Sequence, residues 1–176
     1  MKVPSHLASC LVSASVLAIL VSCAKAPDAP AAIVHKSTGD FPIASTVIVP
    51  AGRTLGFFSG TTASPADAKA PENTPAYWGD TEAQTASALG KIKDSLAAEG
   101  LTFADVVSMT VYLAADKTKA TKDAPARMDF DGMMVSYRKF FGKDSGQPNL
   151  PTRSTVEVAN LVRPGMLVEI EVTAAK

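Results

Sequence analysis

The sequence predicts an α+β domain in which two helices cover one face of a sheet. Two segments of strict apolar/polar alternation close the chain, and two stretches further back carry apolar residues at helical spacing. Punctuated by Pro and Gly, the segments fall in the order β-β-α-β-α-β-β.

Residues 46–49 (TVIV) read as a strand that stops at Pro50-Ala51-Gly52, and residues 54–59 (TLGFFS) as its expected hairpin partner. Gly60 breaks that second strand. Residues 61–79 contain Pro65, Pro71 and Pro75 without a period, so a long loop is expected, with Tyr77 and Trp78 able to pin it. Asp80 or Thr81 can cap a helix reaching about Glu99, with Ala86, Leu89, Ile92, Lys93 and Leu96 on one face and Gly100 as the stop. Residues 106–113 (VVSMTVYL) have the length and β-branching of a strand. A second helix is expected over residues 125–141, where Phe130, Met133, Met134, Tyr137 and Phe141 form a core-facing stripe.

The last two strands alternate cleanly. Over residues 153–158, Ser154, Val156 and Val158 point one way and Arg153, Thr155 and Glu157 the other. Over residues 167–174, Val168, Ile170, Val172 and Ala174 share a face opposite Glu169, Glu171 and Thr173. Pro164-Gly165 marks a turn between them, so an antiparallel hairpin is expected, with its polar face carrying Arg153 and Glu169 together.

The N-terminal segment has a different character. Residues 1–22 carry Lys2 as their only charge, then an apolar stretch softened by serines, which reads as a secretory signal. The stretch is short for a membrane-spanning helix, the alternative reading. Leu20-Val21-Ser22-Cys23 resembles a bacterial lipobox, in which the Cys23 thiol is acylated and becomes the new N-terminus. An ordinary cleavage site with an incidental cysteine is the other reading. Residues 23–40, rich in Ala and Pro at their start, are expected to tether a domain over residues 41–176. The expected location is the periplasmic side of the cell envelope, on the outer membrane where the cell has two.

Composition narrows the chemistry. Seventeen basic and 17 acidic residues balance, and no basic run marks a nucleic-acid surface. Cys10, Cys23, His6 and His35 all precede residue 41, so the expected domain has no thiol or imidazole for nucleophilic or zinc-dependent catalysis. The informative pair is Arg153 with Glu169. A guanidinium can hold a carboxylate through two charge-assisted hydrogen bonds, and a nearby carboxylate can deprotonate water. The plain alternative is that Arg153 pairs with Glu157, Glu169 or Glu171 on a solvated face.

Several stretches, in order, are similar to the RidA (YjgF) family. Gln84-Thr85-Ala86-Ser87-Ala88-Leu89 resembles its QT-x-x-AL, and Val106 to Leu113 its DVV-x-x-TVYL. Tyr137 to Phe141 resembles Y-x-x-FF, residues 151–158 resemble P-x-R-x-x-V-x-V, and residues 167–171 the closing LVEIE. The resemblance implies a chorismate-mutase-like half-barrel with a mixed sheet, assembled as a homotrimer with its sites between subunits. It implies cofactor-independent and metal-independent hydrolysis of enamines and imines, such as 2-aminoacrylate, to 2-keto acids and ammonia. On this resemblance Arg153 grips the substrate carboxylate, Glu169 positions the water, and Ser59, Gly60 and Thr155 line the cleft. Thr155 stands where many members have cysteine, and Pro42-Ile43 where deaminating members have Pro-Tyr; a non-catalytic module holding a small carboxylate is the alternative. Ribonuclease activity is attached to some relatives.

Overall fold

A computed structural model describes residues 31–176; the signal segment and Cys23 lie outside the described residues. Two short strands, β1 (Val34–Lys36) and β2 (Thr46–Ile48), form their own antiparallel pair. The main sheet holds β3 (Leu55–Thr62), β4 (Val106–Ala114), β5 (Thr152–Val158) and β6 (Val168–Ala175) in the order β3-β6-β4-β5. It is mixed: β4 and β5 run parallel and the other pairs antiparallel. A single-turn helix α1 (Pro75–Trp78) precedes α2 (Thr81–Ala98), and α3 (Phe130–Phe140) crosses from β4 to β5.

Both long helices cover one face of the sheet, as predicted. Asp80 caps α2 by accepting from the Ala83 amide at 2.9 Å, and Gly100 leaves it at φ 67°. The buried face of α2 holds Leu89, Ile92 and Leu96 as expected and departs at its edges. Ala88 replaces Ala86 in the interior, Lys93 is exposed, and the polar Gln84 and Thr85 are fully buried. Their bonds explain this: Thr85 Oγ1 donates to Thr81 O at 2.7 Å, and Gln84 donates to Gly79 O and Gly165 O. In α3 the stripe is as expected, with Met133, Tyr137 and Phe141 at 0% exposure. The helix begins at Phe130 instead of Pro125, because Asp129 caps it and Ala115 bridges Met128 in extended form.

Strand partners depart from the sequence reading. β2 pairs with β1, inside the segment assigned to the tether, and β3 pairs with β6. The final two strands form no hairpin, because β4 lies between them. On β6 the expected inward face holds, with Val168, Ile170 and Ala174 at 0% exposure. On β5 the faces are reversed. Arg153 and Thr155 sit beside Met109 and Val111 on the helix-covered side, while Val156 is 42% exposed on the other. An edge strand is covered on only part of its width, so alternation there marks two faces without saying which is inner.

Candidate functional site

The register separates the two expected catalytic residues. Arg153 pairs with Met109, and Glu169 with Tyr112, three positions further along β4. Successive side chains of a strand alternate, so Arg153 lies on the helix-covered face and Glu169 on the bare one. The reading of a shared polar face is therefore corrected: β4 stands between their strands, and pairing runs through it.

Around Arg153 the surroundings are aromatic. Its Cζ lies 4.2 Å from the ring centroid of Tyr137, 5.5 Å from that of Phe41 and 5.8 Å from that of Phe130. Its Nη1 is 3.2 Å from Met134 Sδ. The alternative of a solvated ion pair does not hold. Glu157 instead accepts from Arg127 Nε and the Met128 amide, and among the described residues Arg153 has no carboxylate partner. Burial lowers the proton affinity of this guanidinium, against a weaker opposing pull from Tyr137. Beside it, Thr155 Oγ1 is buried without a hydrogen-bond partner. A desolvated cation next to an unfilled hydroxyl is a receptor for an anionic oxygen.

Local folding explains the pocket. Tyr137 reaches Arg153 from α3, and its hydroxyl donates to Pro42 O at 2.9 Å. That bond, with Ala44 N donating to Pro151 O at 2.8 Å, ties the segment after β1 to the start of β5. Phe41 is thereby placed over the guanidinium. The sequence did not show Phe41, Phe130 and Met134 as neighbours of Arg153, since no spacing links α3 and the segment after β1 to β5. Tyr77 and Trp78 are elsewhere: they pack edge to face at 4.7 Å, and Trp78 Nε1 donates to Pro164 O at 3.0 Å, pinning the loop as expected.

Glu169 belongs to a second group on the bare face. Between Phe58 and Thr61 the register of β3 against β6 shifts, leaving Ser59 and Gly60 in a bulge. A Cβ added at Gly60 would lie 2.0 Å from Glu169 Oε1, so the glycine makes room for the carboxylate. Tyr112 flanks it and donates to Glu171 Oε1 at 3.0 Å, a bond that raises the phenol's pKa from its ordinary value. The structure thus brings Ser59 and Gly60 together with Glu169, and Thr155 together with Arg153, as two groups on opposite faces.

A mixed four-stranded sheet with both long helices on one side and a bulge against a strand glutamate defines an α+β domain of the YjgF type. A family model described as Endoribonuclease L-PSP matches residues 44–176, and the chain belongs to that family, the RidA/YjgF family. A RutC family protein of Haemophilus influenzae is 37% identical over 97 residues, which are 55% of this chain and 65% of the relative, just under two thirds of its length. Among solved structures, the YjgF gene product from E. coli has a TM-score of 0.50 at 28% identity, covering 73% of this chain and 84% of that one. A Yersinia pestis protein of the Rid family, YyfB, has a TM-score of 0.55 at 24% identity over 77% of this chain and 87% of that one, a likeness of fold.

Proposed function

We propose that this chain hydrolyses reactive enamines and imines that carry a carboxylate, at a site assembled between copies of itself. The observation that carries the reading is Arg153: a half-buried guanidinium, ringed by aromatics, without an acidic partner among the described residues. The substrate carboxylate takes the two parallel donors of Arg153, with Thr155 Oγ1 beside it. Glu169 accepts a proton from water as the oxygen attacks the imine carbon. The resulting carbinolamine expels ammonia, so imino acid and water yield a 2-keto acid and ammonia; an enamine enters after protonation at its β-carbon. Because Arg153 and Glu169 occupy opposite faces of one sheet, the complete site needs Arg153 of one copy and the Glu169, Ser59 and Gly60 group of another. A homotrimer satisfies this with equivalent interfaces.

A second reading is a carboxylate-binding module without turnover. It is favoured by the aromatic, hydroxyl-free side that Phe41 presents to Arg153. One experiment separates the two. The full chain is given 2-imino acids generated in situ by an amino-acid oxidase, and keto-acid release is compared with Arg153→Ala. Catalysis predicts acceleration by wild type that falls by at least about tenfold in the variant. Release at the buffer rate from both, with carboxylate binding retained by wild type alone, supports the module.

The chain is also proposed to be anchored in the cell envelope through acylated Cys23. Expressed in bacteria, wild type then sediments with membranes and takes up labelled palmitate, while Cys23→Ala does neither. Equal partition of the two proteins contradicts the anchor.

A further inference from the structure

A cleft of about 410 Å³ opens at the carboxyl ends of the parallel strands β4 and β5, at the far end of β5 from Arg153. Loops following parallel strands are a common place for small ligands, and this volume suits one. Leu161, Met166 and Leu167 supply an apolar lining, and Asp116, Lys117 and Arg163 the charged one.

Asp116 is 4% exposed. Its Oδ1 accepts from the Thr118 amide at 3.0 Å and from Thr118 Oγ1 at 2.5 Å, whereas Oδ2 makes no hydrogen bond among the described residues. Lys117 and Arg163 are exposed, and neither has an ion pair among the described residues. The frame around them is fixed. Gln84 donates to Gly79 O and Gly165 O, each at 2.9 Å, and accepts from the Leu167 amide at 2.7 Å. Trp78 Nε1 holds Pro164 O, and Gly165 at φ 83° fits against the Trp78 ring, where a Cβ would come within 2.8 Å.

We propose that this cleft binds an α-amino acid with an apolar side chain. The ammonium meets Asp116 Oδ2, the carboxylate lies between Lys117 and Arg163, and the side chain covers Leu161, Met166 and Leu167. The charges select the class. A simple anion would face the buried carboxylate, and a simple amine would leave both cations unmatched. This site is independent of the hydrolysis proposed at Arg153.

Isothermal titration of the full chain with leucine, leucinamide and 4-methylpentanoate tests it. Leucine is expected to bind saturably, with the amide and the acid each weaker by about tenfold or more. The same loss is expected for leucine on Lys117→Ala/Arg163→Ala and on Asp116→Asn, and none on Arg153→Ala. The surface double variant keeps the test decisive if Asp116→Asn disturbs folding. Absence of leucine binding at millimolar concentration, equal binding of all three compounds, or loss in Arg153→Ala alone would overturn the proposal.

Discussion

Arg153 and Gly60 show how much single positions decide. Arginine type and location in a strand were legible in the sequence, and the family resemblance implied Arg153 as a carboxylate ligand. Its desolvation was not legible, since Phe130 and Met134 on α3 and Phe41 from the segment after β1 are all distant from it in the chain. Gly60 was read as the end of its strand, but β3 runs through it in a bulge to Thr62, and the Glu169 carboxylate occupies the space of its missing Cβ. Gly60 is not among the residues with positive φ, so alanine there strains no backbone. Gly60→Ala is therefore expected to displace Glu169 and lower kcat/KM for imino acids by about tenfold or more, with stability changed by less than about 1 kcal/mol. Steady-state kinetics and urea unfolding of the variant check both halves. Unchanged kcat/KM would mean that the position of Glu169 does not matter to the reaction.

At the scale of elements, α3 was the most legible. Its stripe of Met133, Met134, Tyr137 and Phe141 is buried as the spacing demands, because a helix reads its own sequence at fixed period. Strand neighbours were not legible in this way. Pairing is chosen by partners far along the chain, and β4 inserts between β5 and β6 where a short connection suggested a hairpin. The burial of Tyr137 has a consequence in solution. Burial raises its pKa from 10.0 to about 12, opposed in part by Arg153. Between these values the unfolded chain has lost the proton that the folded chain keeps, so the unfolded state binds fewer protons and stability falls as pH rises. The loss from this group is roughly 2–3 kcal/mol across pH 10 to 12. Urea midpoints measured over that range should fall for wild type and fall less steeply for Tyr137→Phe. Parallel profiles would place the alkaline loss on other groups.

For the whole molecule, the proposed reaction leaves one chain with two incomplete half-sites. The family resemblance named Arg153 with Thr155, and Glu169 with Ser59 and Gly60, but not the aromatic surroundings of Arg153. The strand pattern misassigned their relation, because alternation on the edge strand β5 does not say which face is inner, and the intervening β4 sets the two faces apart. In the proposed assembly that separation becomes a requirement for a neighbour. Subunit mixing measures it most directly. Arg153→Ala and Glu169→Gln chains, each inactive alone, are mixed in equal amounts, dissociated, reassembled and assayed on in situ imino acids. Sites built across copies predict recovery of about a quarter of wild-type activity, because that fraction of interfaces pairs an intact Arg153 with an intact Glu169. A mixture no more active than its separate components would contradict a site shared between copies.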